Sequence, residues 1–268
     1  MSSLLIGLAL VAVEFVYLRG WYGLRRAIPD LLSVWRLAAF SCGLLALGAV
    51  VASPLAVMDH HLLTAHMAQH LILMTVSAPL LLLGAPVIVL LNGLANPFGR
   101  LVSVPLSRCS PFRTFGHVAT HPLSCWFAGA GTVIAWHIPP VFELGMGSAR
   151  WHEVEFACFF AAGILFWWPV VQPWPSLATR PRWGVPLYLF LATLPCDALS
   201  AFLTFCGRVV YPHYVSMHEV FKISPLGDQE CAGALMWVWV TFVYLAPAAV
   251  VTVQTLSPQQ RALNAEVV

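Results

Sequence analysis

Residues 62–83 read LLTAHMAQHLILMTVSAPLLLL, a run without Asp, Glu, Lys or Arg. About 20 such residues cross the ~30 Å hydrocarbon core of a bilayer as one α-helix. Similar stretches occur at about 2–18, 34–52, 122–140, 153–171, 185–206 and 233–252. The whole chain is 60% hydrophobic and 9% charged, where soluble domains average roughly 45–50% and about 25%. The fold predicted is all-α: a polytopic membrane bundle of about seven transmembrane helices, forming one integral membrane domain over residues 1–268. No internal repeat, low-complexity tract or second domain interrupts it. The first stretch has no basic leader and no small-residue cleavage site, so it reads as a retained span rather than a signal peptide. Extended to residue 92, the third stretch would run about 45 Å as one helix, too long for one crossing. Pro79, Gly84 and Pro86 predict a kink and then an interfacial segment.

The loops predict the orientation. Arg19, Arg25, Arg26 and Arg36 fall between the first two spans, Arg100, Arg108 and Arg113 between the third and fourth, Arg180 and Arg182 between the fifth and sixth, and Arg261 in the tail. The alternate loops hold only Arg150, Arg208 and Lys222. Positive charge marks the cytoplasmic side. The N-terminus is therefore expected outside and the C-terminus in the cytoplasm. The net charge of +2 reflects these topology signals and implies no nucleic acid.

On this topology the outer side collects His60, His61, His66, His70, His137, His152, His213 and His218, with only His117 and His121 inside. Met58, Met67, Met146, Met217 and Met236 lie near the outer span ends, and Met74 lies deeper. Imidazole and thioether are ligands for soft and borderline metals, copper above all. Within the third span, His66 and His70 are spaced i, i+4 and share a helix face. Two polar residues at a helix mouth would show the same spacing. In lipid, however, ionisable groups are costly and usually functional, which favours a ligand pair.

Three further elements sit on the same side. Trp151-His152-Glu153-Val154-Glu155 enters the fifth span, with His152 and Glu155 on one face. His152 is a candidate ligand. Glu155 is a ligand or an orienting carboxylate, or else part of an acidic first turn that favours the helix dipole. Asp228-Gln229 precedes the last span, where Asp228 either ligates or caps the helix; Met236 lies two turns deeper. His137 precedes Pro139-Pro140 and either ligates or bonds the carbonyls freed there. Glu14 and Asp197 are intramembrane acids with no partner evident from sequence. Among seven cysteines there is no CxxC pair. Cys206 and Cys231 are the pair placed to form a bridge or take a metal.

The motifs HMAQH, LLLGAPV, WHIPP, WHEVEF with GILFWWP, FLTF, YPHY and DQECAGALMW, in that order, resemble the CtaG-type cytochrome c oxidase assembly factor family. This is the multi-span family named for the caa-type oxidase, and the resemblance covers about residues 34–252. It implies a multi-pass protein of the bacterial plasma membrane, not an enzyme, needed to form active haem–copper oxidase. Its implied partners are oxidase subunits, a periplasmic copper donor and the lipid bilayer, and its implied cargo is copper. By position, His66 and His70 match the family's paired histidines, His152 and Glu155 its His-x-x-Glu element, and Asp228 and Gln229 its Asp-Gln. The family often carries a histidine directly after the acid of the fifth span, where this chain has Phe156. Asp197 is also atypical.

The site expected is therefore His66, His70, His152 and Asp228, with Glu155, His137, Met67, Met236 and Gln229 as additional or supporting residues. A zinc-dependent seven-span membrane hydrolase would use the same His/Asp cluster, with zinc activating water and Glu155 as base. The outer methionines favour copper over zinc. A haem-binding bundle would need axial histidines at matching depth in two spans, and only His70 approaches that depth. A scaffold for oxidase subunits would need no metal.

Overall fold

The computed structural model describes residues 3–26, 28, 32–53, 55–94, 116, 118–173, 182–215 and 223–257, and every regular element among them is helical. In chain order these are α1 (Ser3–Arg25), α2 (Val34–Ala52), α3 (Leu63–Leu83), α4 (Pro86–Gly93), α5 (Pro122–His137), α6 (Pro139–Met146), α7 (Ala149–Val171), α8 (Val185–Phe205) and α9 (Pro225–Leu256). A single helical turn, Leu55–Met58, precedes α3. Six helices, α1, α2, α3, α7, α8 and α9, are long and apolar enough to cross a membrane. Their outer faces leave Leu45, Phe205 and Phe242 more than 70% exposed, a surface suited to lipid rather than water.

Several boundaries differ from the sequence reading. Where a span over 122–140 was expected, α5 has 16 residues and stops at His137. Pro139 and Pro140 instead open α6, because proline suits a first helical turn and ends the turn before it. The first helix runs on to Arg25. Arg19 and Arg25 thus ride on its last turns, with the Arg25 guanidinium 4.6 Å from the Trp21 ring centroid. The last helix starts at Pro225, where the Ser224 hydroxyl accepts a hydrogen bond from Gly227 N–H at 3.0 Å. Asp228 and Gln229 therefore belong to its first turns, not to a loop. Arg100, Arg108, Arg113, Arg180, Arg261, Lys222, His117, His218 and Met217 lie outside the described residues.

The helix that carries the paired histidines sits at the centre. The most apolar stretch of α3 is 61% buried, against 17–39% for the other five. It packs against α2, α7 and α9. Midway it widens into a π-helical turn, Leu73–Ser77. Pro79 follows two residues later. It has no N–H to give, and its ring crowds the carbonyl four residues back, so a widened turn lets α3 continue to Leu83. Neighbouring helices take up polar groups of this turn. Trp167 Nε1 donates to Met74 O at 3.0 Å, Trp239 Nε1 to Thr75 Oγ1 at 2.8 Å, and Ser77 Oγ to Gly43 O at 2.9 Å. The chain finally breaks at Gly84 and Ala85, the latter at φ 49°, and α4 folds back along α1. The Tyr17 hydroxyl pins this corner by donating to Gly84 O at 2.7 Å.

The α3–α7 contact sets the depth of the site. A Cβ on Gly163 would stand 2.9 Å from Met74 Cα and 3.0 Å from Met74 O. Only glycine permits this approach, and it lays the first turns of α7 beside those of α3. Around the contact, Met74, Phe159, Phe166, Trp167, Met236 and Tyr244 form one buried cluster.

Candidate metal centre

His66 and His70 project from one face of α3 and Glu155 from α7 into the same buried point. His66 Nε2 and His70 Nε2 are 2.9 Å apart, and Glu155 Oε1 lies 3.3 Å from the first and 3.2 Å from the second. A point roughly 2 Å from all three atoms therefore exists, the length of a metal–nitrogen or metal–oxygen bond. All three side chains are at most 4% exposed. Glu155 also brings a second oxygen, Oε2, that is buried without a hydrogen-bond partner. Buried polar atoms are ordinarily paired, so this cluster fits a site completed by something other than protein. The ring of Phe142 lies 5.2 Å from that of His66, and the ring of Phe159 stacks on His70 at 4.0 Å. The centre is thus walled by aromatic carbon.

The other expected residues take distinct places. His152 lies beside the cluster, its ring 5.7 Å from that of His66, but its Nε2 turns to Asp59 Oδ2 at 3.4 Å. Asp228 faces the N-terminus of α3: its Oδ2 accepts from Leu63 N–H at 2.6 Å, and its Oδ1 from Thr64 N–H at 3.1 Å and Thr64 Oγ1 at 2.6 Å. It caps a helix, but α3 rather than its own α9. Gln229 braces the segment between α8 and α9, accepting from Val210 N–H and donating to Leu203 O and Arg208 O. His137 contacts the Val133 carbonyl through Nδ1 at 2.6 Å and Met67 Sδ through Nε2 at 3.3 Å. Met236 lines a small cavity beside His70 together with Met67, Met74, His137 and Cys196.

That cavity holds about 20 Å³, room for one water and nothing larger. Its lining is nonetheless rich in sulfur. Cys206 and Cys231 are both free thiols. Glu14 has a partner, the Ser41 hydroxyl, which donates to its Oε1 at 2.6 Å.

Two residues of this region were given no role from sequence. Thr64, which completes the capping of α3, left no signal, because its acceptor is 164 residues away. Asp59 does carry a signal in the sequence, since Asp59-His60-His61 is an acid directly before two histidines. Its carboxylate is 1% exposed. Burial raises its pKa, while His60, His66, the His60 backbone N–H and the Gln69 amide pull it back down.

With this geometry in hand, comparison places the chain among known proteins. The chain belongs to the cytochrome c oxidase caa3 assembly factor family (Caa3_CtaG), whose profile matches residues 15–257. It is similar to uncharacterized proteins of Mycobacterium bovis and Mycobacterium tuberculosis, each 27% identical over 240 residues, 87% of this chain and 36% of the relative. An uncharacterized protein of Mycobacterium leprae is 25% identical over 243 residues, with the same coverage of both chains. The chain thus spans about a third of the length of these relatives. No solved structure matches it.

Proposed function

We propose that this chain, as a member of that family, serves the assembly of a haem–copper cytochrome c oxidase in a bacterial plasma membrane. In this reading it holds a copper ion between His66, His70 and Glu155 and passes it to oxidase subunits. The observation that carries the reading is the convergence of two Nε2 atoms and one carboxylate oxygen within 3.3 Å of one another, inside helices that cross lipid. An uncompensated acid there is costly, and a divalent or monovalent cation offsets that cost.

The donor chemistry supports copper. Two imidazoles and a carboxylate bind Cu(II), and the thioethers of Met67, Met74 and Met236 beside His70 favour Cu(I). Cargo must be released as well as held, and neighbouring thioethers offer an ion a second set of donors through ligand exchange. A periplasmic copper donor would supply the ion from the side to which the α3 N-terminus opens.

The zinc hydrolase reading has one observation in its favour, since two histidines and a glutamate also form a catalytic zinc set. Such an enzyme needs a substrate cleft beside its metal, and the cavity beside His70 admits only a water-sized guest.

Elemental analysis and the visible spectrum of the detergent-purified protein, expressed with and without added copper, test the proposal. Copper that co-purifies with the chain, lower by about one ion per chain in His70→Ala, is the expected result. Stoichiometric zinc that copper does not displace would move the assignment to the hydrolase. Absence of any metal would leave a scaffold.

A further inference from the structure

A second group of donors lies next to the buried centre, nearer the surface. Asp59 sits on the turn between Leu55–Met58 and α3. Its backbone is fixed on both sides: Asp59 N–H donates to Leu55 O at 3.2 Å, and the Tyr214 hydroxyl donates to Asp59 O at 2.8 Å. The main chain therefore sets where the carboxylate stands. Asp59 Oδ1 is buried with no hydrogen-bond partner, and so is His152 Nε2. These two side chains point into the same small space, with His152 Nε2 3.4 Å from Oδ2. His60 closes the third side, its Nε2 3.9 Å from Oδ1 and its ring 5.0 Å from that of His152. One ligand atom from each of the three residues lies within 4.8 Å of the others.

We propose that Asp59, His60 and His152 form a second metal site, a loading station for a divalent cation such as Cu(II) or Zn(II). Its set of two imidazoles and one carboxylate suits borderline divalent ions, and it carries no thioether to select Cu(I). Access differs between the two sites in the sense a relay needs. His60 is 47% exposed and His152 14%, while His66 is 1% exposed. The rings follow one another from the surface inward, His60 to His152 at 5.0 Å and His152 to His66 at 5.7 Å. An ion taken up at Asp59 can exchange onto His66 by turning the His152 ring, with no free passage through apolar core. The site stands on its own geometry; its role as a loading station rests on the buried centre being a metal site.

The test is equilibrium binding of Cu(II) and, separately, Zn(II) to the full-length chain in detergent, with bound metal counted after desalting. The wild-type protein is expected to take up two ions per chain. Asp59→Asn and His60→Ala should each leave one, His70→Ala should leave one, and the Asp59→Asn/His70→Ala double variant none. His60 is a surface residue, so its variant preserves the fold if Asp59→Asn does not. Two ions retained in His60→Ala and Asp59→Asn, with one lost in His70→Ala, would overturn the second site and leave the buried one standing. One ion lost in Asp59→Asn with none lost in His70→Ala would support the second site while removing the buried one. A single wild-type ion lost in every variant would make the two clusters one site and overturn the proposal.

Discussion

Asp228 and Thr64, on different helices and 164 residues apart, share a 2.6 Å hydrogen bond from the threonine hydroxyl to Oδ1. With the Leu63 and Thr64 amides on the same carboxylate, the last helix caps the central one. A negative group at a helix N-terminus is favoured by the unpaired amides and by the helix dipole. Asp228→Asn leaves one acceptor where there were two and turns an amide NH₂ toward backbone donors. The variant should lose about 1–3 kcal/mol of stability, seen as a lower Tm in detergent, while metal per folded chain stays unchanged. Metal loss at an unchanged Tm would return Asp228 to the ligand set.

Glu155 faces the two Nε2 atoms through a single oxygen, Oε1. Glu155→Gln keeps the volume and removes the charge that two neutral imidazoles cannot supply. Metal retention should fall by about tenfold to a hundredfold, measured as the rate of loss to a chelator. His66 and His70 stay in place in this variant, so protein yield should match wild type. Retention equal to wild type would mean that the carboxylate neither binds the ion nor orients the histidines.

Much of this arrangement could be read from the sequence, and the reasons why parts of it could not are instructive. The i, i+4 pair His66 and His70 and the i, i+3 pair His152 and Glu155 are visible because helix periodicity is local. Which member of the second pair turns to the first is not local. It depends on the height at which α7 meets α3, and that height is set by Gly163 against Met74. Asp228 reads equally well as ligand or cap until Leu63 and Thr64 are brought to it. The helix ends follow a similar rule. Pro139-Pro140 marked the end of α5, whereas nothing in the local sequence of α1 marks where it stops short of Arg25 or runs on to it.

Gly163 is therefore a positioning residue for the site. Its substitution by Val puts branched carbon where Met74 Cα stands 2.9 Å from a mere Cβ, and a backbone cannot yield as a flexible side chain can. The expected cost is about 1–3 kcal/mol, with α7 displaced from α3 and Glu155 drawn away from His66. Tm and metal content should fall together. A reduced Tm with full metal content would show that Glu155 reaches the histidines independently of this contact.

Phe156 directly follows the acid of the cluster. Its ring centroid is 5.2 Å from that of His70 and 4.7 Å from that of His152, so it stands between the buried centre and the residue that turns to Asp59. A histidine there would add an imidazole nitrogen near both. Phe156→His should therefore slow metal loss to a chelator by about tenfold or more, each 1.4 kcal/mol of added binding being a factor of ten. The cost in packing should be small, because the neighbouring rings are themselves imidazoles. If chelator kinetics do not change and the fold is intact, the side chain at this position does not reach the ion. The centre would then be complete with His66, His70 and Glu155 alone.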